Sequence, residues 1–281
     1  MTGVSQTYGM IGAVMLPDRL IGPVVVVAWV GALFAVTYLG LAALVAVMDR
    51  AEPPRRTLAA TPEAGRAMTR PARSAWAGAV VGVVIFAATT IDLVTDGPLR
   101  HWDRAVIAAA GPVGSPQDMV WQGLADGGGP PMLAVVLIAA VGIHLVGRRG
   151  AWPVALAAGW VVVVAATTWL AKAVIGRTPP WSRVDLLHAG GMSYPSGHSA
   201  SAAAFLLIAA TLATAPGSRL DRIASWTVPV LAAVVAIATV HLQYHWPSDA
   251  SAGWALGLAL GTIARRSIRR STRQAAPIGN A

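Results

Sequence analysis

Residues 151–181 read AWPVALAAGWVVVVAATTWLAKAVIGRTPPW. The stretch 151–171 carries no charge. At about 1.5 Å of rise per residue it covers about 30 Å as a helix, the hydrocarbon thickness of a bilayer. It ends at Lys172, the only lysine in the chain; every other cationic side chain is an arginine. The stretch predicts a membrane-spanning helix and raises the question of why the single ammonium stands at its end.

The whole chain extends that prediction. It has 281 residues, 56% hydrophobic and 12% charged, with a mean hydropathy of +0.61. Soluble domains carry about 25% charged residues, so an integral membrane protein is expected. With no cysteine, disulfides and thiolate metal sites are excluded, and the redox compartment stays unread. The opening MTGVSQTYGMIGAVML has no basic n-region and does not read as a cleavable signal peptide.

Seven apolar segments follow, at 20–48, 75–91, 131–147, 151–171, 199–215, 223–244 and 250–264. The segments 75–91 and 250–264 reach spanning length only by extending into polar flanks. Alternating sides along the seven puts fifteen arginines on one face: Arg50, Arg55, Arg56, Arg66, Arg70, Arg73, Arg148, Arg149, Arg219, Arg222, Arg265, Arg266, Arg269, Arg270 and Arg273. Six cations and eight acids fall on the other face. By the positive-inside rule the first face is cytoplasmic. The net charge of +9 thus belongs to topology and to anionic lipid heads, and nucleic acid is a poor partner.

The fold expected is all-α, a polytopic membrane helix bundle. Residues 1–48 hold an extra N-terminal transmembrane helix and 49–74 a basic cytoplasmic linker. Residues 75–264 form a six-helix membrane domain, and 265–281 a basic cytoplasmic tail. Between the second and third spans lies a long outer loop, 92–130. In it, DGPLRHWDRAV (96–106) reads as an interfacial helix and DGGGPP (126–131) as a turn. Trp29, Trp76, Trp152, Trp226 and Trp254 sit near span ends, as interfacial aromatic belts do. His144 reads as interfacial and Asp92 as the outer end of its helix. Small residues in SAAAF and GWALGLALG suit close helix packing.

Three pieces that can do chemistry converge on the outer face, although charge alone set the topology. Lys172 ends its span. SYPSGHSAS (193–201) opens the next, with Ser196 placed as an N-cap and Gly197 allowing close backbone approach. The free N–H groups of such a helix start bind anions, and His198 beside an anion can donate a proton. The bland alternative is an ordinary capped helix with an interfacial histidine. YHWPSDASAGW (244–254) sets His245 and Asp249 four apart across a proline, with Trp246 and Pro247 read as an interfacial anchor and bend. A carboxylate there fixes the imidazole tautomer and leaves the other nitrogen as nucleophile or base; the alternative is a solvated surface pair. A metal would need two or three further ligands. Only His241 and Asp185 offer themselves, without an HExxH pattern, so no metal is expected. One histidine as nucleophile, one as acid, and a lysine with helix N–H groups for an anion describe phosphoryl transfer.

At these residues the chain resembles the type 2 phosphatidic acid phosphatase superfamily, the lipid phosphate phosphatases, over about 75–264. The Pro-Ser-Gly-His motif is complete at Pro195, Ser196, Gly197 and His198, and the His-x3-Asp portion of the third motif at His245 and Asp249. The resemblance implies a membrane helix bundle with an extracytoplasmic site and no metal or other cofactor, and the arginine count places the C-terminus in the cytoplasm. It implies that His245 is the nucleophile, Asp249 its orienting partner and His198 the acid that protonates the leaving alcohol. Lys172, Ser196 and the Gly197 N–H would hold the phosphate. The implied substrate is a lipid phosphate (a mono- or diphosphate ester) at the cell membrane, cleaved through a phosphohistidine. The partners implied are that substrate and membrane lipids, with protein partners unread.

Two family arginines are missing. The first motif, Lys-x6-Arg-Pro in the family, keeps Lys172, Gly176, Arg177 and Pro180 but has Pro179 at the second arginine; Ala238 and Thr239 replace the Ser-Arg that opens the third. Each charged hydrogen bond is worth about 1.5–3 kcal/mol. Three explanations stand: substitute cations, with Arg177 the first candidate phosphate ligand and Arg183, His241 and Gln243 behind it; a less charged substrate such as a phosphodiester, with head-group transfer; or a non-catalytic lipid-binding homologue.

Overall fold

The structure, a computed structural model, describes residues 71–147 and 150–274. The expected N-terminal helix 20–48, most of the linker 49–74, Arg148, Arg149 and residues 275–281 lie outside the described residues. The described residues are helical, with no strand among them. Eight α-helices follow in order: α1 Pro71–Val94, α2 Pro98–Ala109, α3 Asp118–Gly127, α4 Pro130–Val146, α5 Trp152–Ile175, α6 Gly197–Ala213, α7 Arg219–His241 and α8 Pro247–Gln274. A single 3₁₀ turn, Pro180–Ser182, interrupts the long connection after α5.

The six apolar segments that lie among the described residues each fall within or largely on one helix. Prolines open α2, α4 and α8, where a missing N–H costs nothing and the fixed φ suits the first turn. By length and composition, Trp152–Ser182 and Arg219–His241 are long and apolar enough to cross a membrane. The count rises to four if two bent pairs each make one span: Gly78–Val94 with Pro98–Ala109, bent by 79°, and Asp118–Gly127 with Pro130–Val146, bent by 45°. Gly197–Ala213 is apolar but shorter. These are the helices of an integral membrane protein.

The centre of the bundle is the parallel pair α6 and α8. A Cβ on Gly257 would come 2.3 Å from the Ala200 carbonyl oxygen, and one on Gly253 would come 2.3 Å from that of Ser196. Glycine at this four-residue interval lets the two backbones touch, the geometry of small-residue packing in membranes. Around this seam, α1 packs along α8, α4 and α5 cover α6, and α7 closes the remaining side. One apolar core joins Ala203, Leu207, Val228, Ala232, Val240 and Trp254; a second joins Leu133, Val164, Ile208, Leu212 and Ile268.

Several expectations change here. Trp254 is buried in the core, where its indole N–H donates to the Pro229 carbonyl at 2.9 Å, instead of sitting in an interfacial belt. The carbonyl it finds is that of Pro229, the proline inside α7. Trp76, Trp152 and Trp226 are exposed. His144 is buried, with its Nδ1 3.3 Å from the Leu212 carbonyl oxygen, because α4 folds back against the end of α6. α8 runs on to Gln274, through the arginines read as a tail, and Arg265 and Arg269 both bind Asp221 at the start of α7. Asp92 does mark its helix end: its carboxylate accepts the Leu99 and Arg100 N–H groups at the start of α2, at 3.2 and 3.0 Å.

Candidate active site

The site lies at one end of the bundle, where the α5–α6 connection meets the α7–α8 turn. Gly176 ends α5 in a left-handed conformation (φ 59°, ψ 32°), and its N–H caps the Lys172 carbonyl at 2.8 Å. This αL cap reverses the chain just beyond Lys172 and turns the next residue, Arg177, inward. The connection then folds back on itself: Ser193 N–H donates to the Arg177 carbonyl at 3.1 Å. The Tyr194 hydroxyl pins it to α1 through Thr90 at 2.7 Å.

Ser196 is the N-cap expected, its Oγ accepting the Ser199 N–H at 3.3 Å. Its own N–H donates to the Asp249 carbonyl at 2.9 Å, locking the starts of α6 and α8 together. On the α7 side, the buried Thr239 carbonyl accepts the N–H groups of Tyr244 and His245, at 2.9 and 3.3 Å. Gln243, at φ 56°, makes the reversal. His245 is thereby delivered to the mouth of the Gly197 helix.

The structure brings His198, His245, Asp249, Lys172, Ser196 and Gly197 together. The rings of His198 and His245 lie 6.2 Å apart between centroids, near edge-on at 63°. Lys172 lays its stem across Gly197: a Cβ there would sit 3.7 Å from the lysine Cε. Its ammonium binds the Met192 carbonyl and lies 3.4 Å from that of Ser193. Asp249 Oδ2 stands 3.8 Å from His245 Nδ1, too far for a good direct bond. The Ser193 hydroxyl lies between them, donating to Asp249 Oδ2 and 3.5 Å from the same Nδ1. Burial holds the His245 imidazole below the usual histidine range, and the neighbouring Asp249 only partly offsets this. The neutral ring, required of a nucleophile, is therefore favoured.

Arg177 is not brought to this open side. It is fully buried, and its fork is divided among carboxylates: Nε to Asp185 at 2.9 Å, Nη1 to Asp249 at 2.7 Å and Nη2 to Asp103 at 2.9 Å, with Ser248 Oγ a further acceptor at 2.9 Å. Burial penalises such a charge unless opposite charges surround it, and these carboxylates hold Arg177 away from water. The other candidate substitutes are also engaged. His241 pairs with Asp118 at 2.8 Å and stacks on Trp121, and the Gln243 amide donates to the Gly111 carbonyl at 3.0 Å. Arg183 is exposed in a left-handed turn. The Thr239 hydroxyl is taken by the Ala236 carbonyl at 2.8 Å. Trp246 is buried beneath the Arg177 guanidinium, 4.9 Å from ring centre to Cζ, instead of anchoring at an interface.

Sequence reading did not single out Asp103, Ser193 or Ser248. Asp103 left one trace: with Leu99 and Val106 it lies on the apolar stripe of DGPLRHWDRAV, where a carboxylate needs a buried partner. Asp185, first noted as a conceivable metal ligand, instead pairs with Arg100 at 2.8 Å and with Arg177. Burial works against its ionisation, but the hydrogen bonds from Arg177 and Arg100 prevail and hold it below the usual carboxylate range. Among the described residues, no group of three or more potential ligands is arranged to hold a metal ion.

Residues 150–273 match the family model of the PAP2 superfamily, so the resemblance carried by the motifs is borne out over that region. No curated protein matches the chain significantly. Among solved structures, the chain is similar to the crystal structure of a transmembrane PAP2 type phosphatidylglycerolphosphate phosphatase from Bacillus subtilis. The TM-score is 0.56 at 24% sequence identity, covering 70% of this chain and 98% of that one. At this identity the likeness speaks for the fold.

Proposed function

With residues 150–273 placed in the PAP2 superfamily, we propose that this protein is a membrane-embedded phosphatase that hydrolyses a lipid phosphate, mono- or diphosphate ester, through a phosphohistidine. The observation that carries the proposal is the pair of rings, His198 and His245, 6.2 Å apart at the start of an anion-binding helix with the only lysine beside it. An acid and a nucleophile that serve one phosphoryl group must lie about this close.

His245 turns Nδ1 to Ser193 and Asp249, which leaves Nε2 to attack phosphorus. As the N–P bond forms, the ester P–O bond breaks, and the departing alcohol oxygen takes the proton of His198. Water then attacks the phosphohistidine with neutral His198 as base. The N–P bond breaks, orthophosphate leaves and both histidines return to their starting states. Lys172 and the N–H groups at Gly197 and beyond meet the equatorial oxygens, where charge gathers in the transition state. No metal or cofactor enters these steps. The excess of arginine at the other end of the bundle supports an extracytoplasmic site in the cell membrane, with the C-terminus in the cytoplasm.

One observation favours a second reading. Of the two cations expected at the phosphate, Arg177 is committed to carboxylates, which leaves Lys172 beside Gly197, a modest complement for a dianion. A monoanionic diester head, transferred to an alcohol, suits it better. The test is a panel of phosphatidylglycerophosphate, phosphatidic acid, a polyprenyl diphosphate and a phosphodiester lipid, offered with and without an added alcohol acceptor. Orthophosphate release from a monoester or diphosphate is expected. Turnover of the diester alone, dependent on the acceptor, would replace the hydrolase by the transferase.

A further inference from the structure

We infer that Arg177 is a positioning residue: clamped by Asp103 and Asp185, its guanidinium fixes the Asp249 carboxylate and, through Asp249 and Ser193, the ring of His245. This rests on the reading of His245 as nucleophile.

The geometry is specific. Arg177 joins three chain segments distant in sequence, namely α2 through Asp103, the α5–α6 connection through Asp185, and the first turn of α8 through Ser248 and Asp249. The two oxygens of Asp249 are divided between two tasks. Oδ1 takes Arg177, while Oδ2 takes the Ser193 hydroxyl and the Trp246 N–H and faces His245 Nδ1. The terminal torsion of an aspartate is broad, so without a partner on Oδ1 its plane is poorly set. A planar fork with fixed donor directions sets it; a single ammonium does not.

The clamp is itself held. Asp103 accepts the Ser248 backbone N–H at 2.8 Å and the Ser248 hydroxyl as well, tying α2 to the residue beside Asp249. Asp185 is held from its far side by Arg100 Nε at 2.8 Å. The face of Arg177 rests on Trp246, the residue next to His245, whose indole N–H donates to the Thr178 carbonyl at 2.8 Å. The hub therefore holds both Asp249 and the backbone neighbour of His245. All three guanidinium nitrogens are engaged within the protein, and the side chain is fully buried, away from a phosphate.

The test compares the wild type with Arg177→Lys and Ser248→Ala, using phosphatidylglycerophosphate in mixed micelles as substrate, with kcat taken per folded protein. Arg177→Lys is expected to lower kcat about a hundredfold, as a small misplacement of reacting groups does. KM should move by less than about threefold. Ser248→Ala, which strands no buried charge, should lower kcat about two- to tenfold with KM unchanged. It should add nothing in the Arg177→Lys background. The inference is overturned if Arg177→Lys raises KM tenfold while kcat holds, which would make Arg177 a phosphate ligand. It is equally overturned if kcat is unchanged. Should Arg177→Lys fail to fold, Ser248→Ala decides alone, and an unaltered kcat sinks the inference. His245→Ala run beside them separates the two levels, since wild-type turnover there removes the nucleophile itself. A wild type that releases no orthophosphate removes the phosphatase reading and the inference with it.

Discussion

At the scale of single residues, the site combines two environments that favour different charge states. His245 is enclosed beside the α7–α8 turn, where burial favours the neutral imidazole, while Asp249 behind it keeps its anionic form among Arg177, Ser193 and Trp246 N–H. The folded His245 therefore releases its proton at a lower pH than an ordinary histidine, near 6.5. On the proposed mechanism, His245 is competent as nucleophile above that point and loses that competence as pH falls through it. The acid limb of kcat/KM, which reports the free enzyme, is expected below about pH 6.5. A limb above that value would mean that some other group is titrating or that burial does not govern the ring. The lone lysine also gains a meaning at this scale. A compact point charge at the end of α5, lying over Gly197, is suited to a phosphate oxygen, whereas the arginine after Gly176 is committed elsewhere.

At the scale of elements, the site is made by the α6–α8 seam. Gly253 and Gly257 bring the first turns of these helices close enough for Ser196 N–H to reach the Asp249 carbonyl. A side chain on Gly257 meets the Ala200 carbonyl and must push the helices apart. Gly257→Val is expected to cost about 1–3 kcal/mol of stability. It should also lower activity more than the loss of folded protein explains, because His198 rides on α6 and Asp249 on α8. A thermal melt read beside phosphate release checks this, and a variant with unchanged melting and turnover would show the seam to be unimportant. Much at this scale was legible in advance. Uncharged runs mark the helices, Ser196 is a capping residue before an apolar stretch, and GWALGLALG has the spacing of a packed face. The course of the α5–α6 connection was not legible. It depends on a left-handed Gly176 followed by a buried ion cluster whose members lie far apart in sequence. Nothing local to Arg177 says that Asp103 will be waiting for it. Trp254 and His144 were misread for a related reason: a residue near a span end is interfacial only if no neighbouring helix covers it.

At the scale of the molecule, the candidate catalytic residues gather at one end and the arginines that bind Asp221 at the other, an asymmetry that fits a bundle set across a bilayer. The chain has no cysteine, which makes its orientation simple to examine. Arg183→Cys, in the exposed connection at the site end, should react in intact cells with a membrane-impermeant maleimide. Ala215→Cys, in the exposed turn between α6 and α7, should react only after the membrane is opened. The reverse pattern would place the site in the cytoplasm and restrict the substrate to inner-leaflet lipids. The fold and the motif residues could be foreseen because both rest on patterns continuous in sequence. Arg177 was expected at the phosphate and lies behind the site because burial of a charge is settled by partners that only the folded chain supplies.

On the proposed mechanism His245 carries the phosphoryl group between the two half-reactions. Rapid mixing of the protein with a lipid radiolabelled in its phosphate, followed by an alkaline quench and counting of label on the protein, tests this. A label that is stable to base, labile to acid and absent from His245→Ala is expected. Label retained by His245→Ala, or phosphate released by that variant at the wild-type rate, would contradict it.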